Sequence, residues 1–178
     1  MLLTDARSAA RVRGGELVTL DEQDRTGWDR ALIAEGHTLV RECLARVAAK
    51  QTRPGHYQLM AAINAVHTDA RDARDTDWSQ VVALYDQLYA VAPTPIVALN
   101  RAVAVAELDG PDVALAIVET LALDRYHAWH AARADLLRRL GRSADARSAY
   151  DAAIAATQNS AERAYLTRRR DHLVLPGE

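Results

Sequence analysis

TPIVALNRAVAVAELDGPDVALAIVETLAL, residues 94–123, and YHAWHAARADLLRRLGRSADARSAYDAAIAA, residues 126–156, are two versions of one pattern. Each is an apolar-periodic helix, a turn at glycine and a second helix. Gly110 and Gly141 stand 31 positions apart, and the pairs Ala102/Ala134 and Ala114/Ala146 are each 32 apart. One period earlier, DWSQVVALYDQLYAVAP (77–93) reads as the second helix of a preceding pair, with Ala83 at the small position. GHYQLMAAINAVHTDA (55–70) reads as its first helix, and RDARDT is the polar link between them. A single hairpin cannot bury its own apolar face, so helix pairs at this period are expected to stack.

The wider chain agrees with an all-α fold. Helices are expected at about 2–12, 26–49, 55–70, 77–91, 95–108, 111–122, 125–140, 143–157 and 160–173. Breakers separate them at Thr52-Arg53-Pro54-Gly55, Pro93-Thr94-Pro95, Gly110-Pro111 and Gly141. Thr76-Asp77 and Asn159-Ser160 are candidate N-caps, whose side-chain oxygens accept first-turn N–H groups. GELVTL is β-like but isolated, and a lone strand has nothing to pair with. Abundant Ala and the absence of Phe suit helices packed at close range.

Composition narrows the function classes. The 178 residues are 49% apolar and 26% charged, as in a soluble globular protein, and the net charge is −2. That balance argues against bulk electrostatic binding to nucleic acid or anionic membrane. Cys43 is the sole cysteine, so neither an intrachain disulfide nor a cysteine-based metal site can form. No apolar run approaches the length of a membrane span, which makes a cytoplasmic location the expectation. There is no H-E-x-x-H, G-x-S-x-G or Gly-rich phosphate loop, and Gly14-Gly15 reads as an isolated turn. His127 and His130 lie three apart on one helix but lack a well-spaced third ligand. Cys43 reads as a buried, inert thiol. Neither catalysis nor a cofactor is expected. Arg138, Arg139 and Arg142, and again Arg168, Arg169 and Arg170, sit near helix ends, where cations favour the helix dipole.

The last unit resembles a tetratricopeptide repeat. Ala134 takes the small crossing position and Gly141 the turn, with Ala146, Tyr150 and Ala153 on the second helix. It departs from that pattern where His130 stands for the usual tryptophan and Gln158 for the closing proline. The resemblance implies a right-handed superhelical solenoid of about three degenerate helix pairs over 55–178, ending in a capping helix, AERAYLTRRRDHLV. Residues 1–54 would add N-terminal helices and a charged segment, the whole forming one compact unit. It also implies a concave groove that reads a partner peptide. Asn100, Arg101, His130 and Arg133 are the polar residues expected there, either as a ladder along the groove or in Arg–Asp pairs locking adjacent repeats.

Six segments in order carry a more specific resemblance: MLLTDARSAARV, GELVTLDEQDRTGWDRALIAEG, GHYQLMAAINAVH, DTDWSQVVALYDQL, PTPIVALNRAVAVAELDGP and YHAWHAARADLLRRLGR. Together they resemble the C-terminal extension of a group of bacterial extracytoplasmic-function RNA polymerase sigma factors. The chain would then be an isolated or truncated extension, without the regions that bind polymerase and promoter. The resemblance implies a non-catalytic regulatory domain that modulates transcription initiation. Its partners would be the sigma regions of the parent chain, RNA polymerase or a regulator protein, with no direct DNA binding and no membrane. LDEQDRTGWDR (20–30) would be a contact surface, with Asp21, Asp24, Arg25, Asp29 and Arg30 as charge-paired contacts and Trp28 as an apolar anchor. The local alternative is that Asp24 or Thr26 caps the helix and Trp28 packs on its neighbour. Replacing Asp24 and Arg25 with Ala is expected to alter transcription while the domain stays folded. A free-standing peptide adaptor, or a small-molecule sensor with a pocket between the N-terminal helices and the repeats, are the rival readings.

Overall fold

The computed structural model describes residues 2–173; Met1 and residues 174–178, which include the last residue of the expected capping helix, lie outside them. Within that span the chain is all-α apart from one small hairpin. The helices are α1 (Leu2–Asp5), α2 (Arg30–Ala49), α3 (His56–Asp69), α4 (Trp78–Val91), α5 (Pro95–Leu108), α6 (Pro111–Val118), α7 (His127–Arg139), α8 (Ser143–Ala156) and α9 (Ser160–Asp171). The boundaries follow local chemistry. Asp29 Oδ1 accepts from the N–H groups of Ala31 and Leu32 at the start of α2. Asp77 does the same for Gln80, and Asn159 for Ala161 and Glu162.

Contacts divide the chain into two compact units, residues 2–11 with 18–97, and 12–17 with 98–173. The sequence reading places its boundary after residue 54 instead, but α2 packs on α3 across that point. In the first unit α1 lies on α2 and α3, and α3 pairs with α4. Leu3, Ala6, Trp28 and Ile33 form one buried cluster there. In the second unit α6, α7, α8 and α9 pack in sequence, each on the next.

The period found in the sequence is a burial period. Ala102 and Ala134 are fully buried, as are Ala114 and Ala146. Val105/Leu137 and Val118/Tyr150 repeat the spacing and are buried too. Side chains without bulk at 102, 114, 134 and 146 let helix axes approach, while Tyr150 fills the space beside them. Gly110 (φ +103°) and Gly141 (φ +71°) make the two turns with backbone that other residues resist. Leu166 occupies the place of Ala102 and Ala134 on α9, where it is again buried. The period does not extend to Ala83, which is exposed; the buried residues of α4 are Val81, 33 positions before Ala114, and Leu88.

Two expectations at the N-terminus need correction. The helix expected at 2–12 ends at Asp5 and gives way to a short 3₁₀ turn, Ser8–Ala10. GELVTL is not isolated, because Val12–Arg13 (β1) pairs antiparallel with Glu16–Leu17 (β2). Gly14 and Gly15, both at positive φ, form the two-residue loop that such a hairpin favours. This hairpin packs on α9, and Arg168 Nε donates to Glu16 Oε2 at 2.9 Å.

Candidate functional site

The charged strip at 20–30 separates into an inner and an outer set. Arg25 and Trp28 point inward, with Trp28 only 3% exposed and Arg25 8%. Trp28 is thus a core residue of the first unit rather than a surface anchor. Arg25 Nη1 donates to the carbonyls of His67 and Ala70, both at 2.8 Å. Those carbonyls belong to the last turn and C-cap of α3, where no intrahelical donor remains. A cation there also meets the negative end of the helix dipole. Arg25 therefore closes the end of a helix more than forty residues away, and its guanidinium stacks 4.7 Å from the Trp28 ring centroid.

Arg7 completes this inner cluster. Its Cζ lies 5.9 Å from the Trp28 ring centroid, its Nη2 donates to Asn64 Oδ1 at 2.8 Å, and its Nε donates to the Leu3 carbonyl. Burial lowers the pKa of both guanidinium groups. For Arg7 the charges of Arg11 and Arg25 push the same way, while for Arg25 Asp72 and Asp75 oppose. His67, packed edge-on to Trp78, is held neutral, its pKa lowered to about 4 by burial and then by Arg7 and Arg25.

The outer set is Asp21, Glu22, Asp24, Asp29 and Arg30, all exposed. Asp24 caps the 3₁₀ turn Arg25–Gly27 by accepting from the N–H and hydroxyl of Thr26. Asp29 caps α2, and its own N–H donates to the Ala6 carbonyl. Capping of α2 thus falls to Asp29, not to Asp24 or Thr26. The result is a turn pinned at both ends, with Asp21 and Glu22 on its open side. The buried position of Arg25 also corrects the expectation that Asp24 and Arg25 can be replaced by Ala with the domain left folded.

In the second unit the polar residues expected along a groove are differently placed. Asn100 is exposed on α5, in the stripe of Ile96 and Val103. By the 32-residue period its counterpart is Ala132, while Arg101 corresponds to Arg133. Arg133 donates to Glu119 Oε1 from Nε (3.3 Å) and Nη2 (3.2 Å). His130 Nε2 lies 2.7 Å from the Asp124 carbonyl oxygen, and the indole of Trp129 donates to the Val118 carbonyl. His127 instead faces Glu162, Nε2 to Oε2 3.3 Å, so the two imidazoles meet different partners. Among the described residues no cluster of three or more His, Cys, Asp or Glu could hold a metal ion.

Both arginine triplets are matched by carboxylates. Arg138 and Arg169 share Asp135 Oδ1 at 2.8 and 2.9 Å, which ties α7 to α9. Arg139 reaches Glu107, its counterpart one period earlier, at 2.6 Å. Arg142 pairs with Asp145, Arg168 with Glu16, and Arg170 with Asp151 and Asp171. The arginines are legible in the sequence, as are the local partners Asp135 of Arg138, Asp145 of Arg142 and Asp171 of Arg170. The partners on other helices and the hairpin, Glu107, Glu16 and Asp151, and the bond from Arg169 to Asp135, are not. Burial and then the charge of Asp135 raise the Tyr150 pKa, against Arg169, which hydrogen-bonds it.

Residues 1–44, the span that includes the charged strip, match a family of unknown function (DUF6596). An uncharacterized protein of Rhizobium meliloti (strain 1021) is 42% identical over 176 residues, covering 97% of this chain and 40% of that protein. The chain thus spans about two fifths of the length of the curated relative it matches. No solved structure matches. Among the described residues no helix is long and apolar enough to cross a membrane.

Proposed function

We propose that this chain is a non-catalytic regulatory domain of an extracytoplasmic-function sigma factor, tetratricopeptide-like in its helix pairs, acting on transcription initiation by protein–protein contact. The observation that carries the reading is the construction of the 20–30 strip. Arg25 and Trp28 anchor it from beneath, two aspartates cap the turns at either end, and Asp21 and Glu22 stand outside. A rigid, charged surface turn fixes register and partner choice more than affinity. The six ordered segments support the sigma-factor assignment, and a relative with three fifths of its length outside the match leaves room for sigma regions.

The test uses the full-length parent. Asp21→Lys with Glu22→Lys is expected to change reporter transcription several-fold while the melting midpoint of the 178-residue chain stays in place. Unchanged output would count against the reading. A second reading, a free-standing adaptor for an extended peptide, draws on the exposed Ile96–Asn100–Val103 stripe of α5. A pull-down separates the two, since recovery of sigma regions or polymerase subunits supports the first and a lone unrelated peptide ligand the second.

A further inference from the structure

The carboxyl-terminal half of α2 is built as an amphipathic helix yet contributes no fully buried residue, although Val40 packs against the Leu3–Ile33 cluster. From Arg41 to Ala49 no residue is buried, although Leu39, Val40, Cys43, Leu44 and Val47 recur at the spacing of one helix face. Leu39 remains 48% exposed. Beside this stripe runs a groove of about 560 Å³ between α2 and the start of α3. Leu39, Cys43 and Val47 form its apolar wall, and Arg46, Lys50 and Arg53 form its basic one. Cys43 is half-buried at its edge, where its Sγ accepts from Gln58 Nε2 at 3.0 Å, and is not the buried thiol expected from sequence.

Charge decides what fits. Arg46 has one exposed partner, Glu42, at 3.1 Å, and Lys50 and Arg53 have no ion pair among the described residues. The helix also ends on a strained residue. Gln51 sits at φ +52° in the left-handed position of a Schellman turn, with Thr52 N–H donating to the Val47 carbonyl and Gln51 N–H to that of Ala48. The turn holds Lys50 and Thr52 at the mouth of the groove.

We infer that this groove docks an acidic amphipathic helix of another protein, its apolar side chains on Leu39, Cys43 and Val47 and its carboxylates on Arg46, Lys50 and Arg53. An apolar wall selects a peptide over a nucleic-acid backbone, which offers phosphates but no aliphatic side chains. The inference deepens the reading above and rests on its premise that the chain works by protein contact, but not on the partner being sigma or polymerase.

The experiment is fluorescence anisotropy with the 178-residue chain. One probe is a labelled helical peptide with Leu at heptad spacing flanked by Glu; the other carries Gln in place of every Glu. The Glu peptide is expected to bind at least about ten-fold tighter, with the advantage shrinking as salt rises from about 0.05 to 0.5 M. Lys50→Gln with Arg53→Glu should remove that advantage, and Arg142→Glu in the second unit should leave it intact. Equal binding of the two peptides, binding of neither, or an advantage that survives Lys50→Gln with Arg53→Glu overturns the inference. So does displacement by duplex DNA at lower concentration than by unlabelled Glu peptide, or a dimer that the double variant dissolves. Should the Glu peptide bind as expected while reporter output ignores Asp21 and Glu22, the groove stands and the sigma-factor reading falls.

Discussion

The end of α2 and the α7–α9 packing carry arginine and lysine at similar density and put them to opposite use. In the second unit all six triplet arginines meet carboxylates, and Asp135 alone holds two of them from different helices. Charge there is an internal fastening. In the first unit Lys50 and Arg53 lack ion pairs among the described residues, and Leu39, Cys43 and Val47 beside them line an open groove. The turns differ in the same sense. Gly141 and Gln51 close helices with the same Schellman hydrogen bonds, Arg142 N–H to the Leu137 carbonyl in one case and Thr52 N–H to the Val47 carbonyl in the other. Only the second unit uses glycine at the left-handed position. Strained backbone of this kind gathers where structure serves binding. On the proposed reading, partner contact belongs to the first unit, while charge in the second fastens its own helices.

Changes that break the inner cluster have the largest expected effect. Trp28→Ala should cost about 3–5 kcal/mol, because it empties a fully enclosed site and removes the surface on which Arg7 and Arg25 stack. Chemical denaturation should report it, and a loss below about 1 kcal/mol would mean that the cluster does not hold the first unit together. Acid should act on the same place. The folded His67 pKa of about 4 lies below the ordinary histidine value of 6.5, so the unfolded chain binds the proton first as pH falls. His67 therefore withdraws stability between about pH 6.5 and 4, by up to about 3 kcal/mol, and nothing further below that range. His67→Gln should flatten the pH dependence of the melting midpoint across that window.

The second unit is sharpened by overpacking. Ala146→Leu should destabilise by roughly 1–3 kcal/mol, since Ala146 is fully buried between close helices. An unshifted melting midpoint would show the 32-residue register to be misplaced. Smallest is the exchange at the turns. Gln51→Gly should stabilise by about 0.5–1 kcal/mol and Gly141→Gln should destabilise by about 1 kcal/mol, opposite signs for one motif. If both destabilise, relief of backbone strain is not the governing difference.

How much of this was legible in the sequence varies with how local the cause is. Caps at Asp77 and Asn159, the glycine turns and the recurrence of small residues all act within a few positions or at a fixed period, and reading along the chain finds them. Trp28 and Arg25 mislead because their neighbours are charged. Their burial depends on the end of α3, about forty residues on, which a local pattern does not contain. The hairpin is a nearer miss. Gly14-Gly15 flanked by Val12-Arg13 and Glu16-Leu17 is a two-residue loop signal, masked because Val12 also fits the apolar period of the helix expected at 2–12. Ala83 shows the opposite failure, a period carried one step too far, where Val81 does the packing. The arginine triplets are visible, but much of their pairing is long-range: Arg139 to Glu107, Arg168 to Glu16, Arg169 to Asp135 and Arg170 to Asp151 each join different elements.

The most direct test of the proposed partner contact on the first unit is hydrogen–deuterium exchange of this chain with and without the sigma regions that the proposed reading assigns to its parent. The account predicts slowed exchange over residues 20–30 and 39–53, with α7–α9 unchanged. Protection confined to the second unit, or none at all, would contradict it.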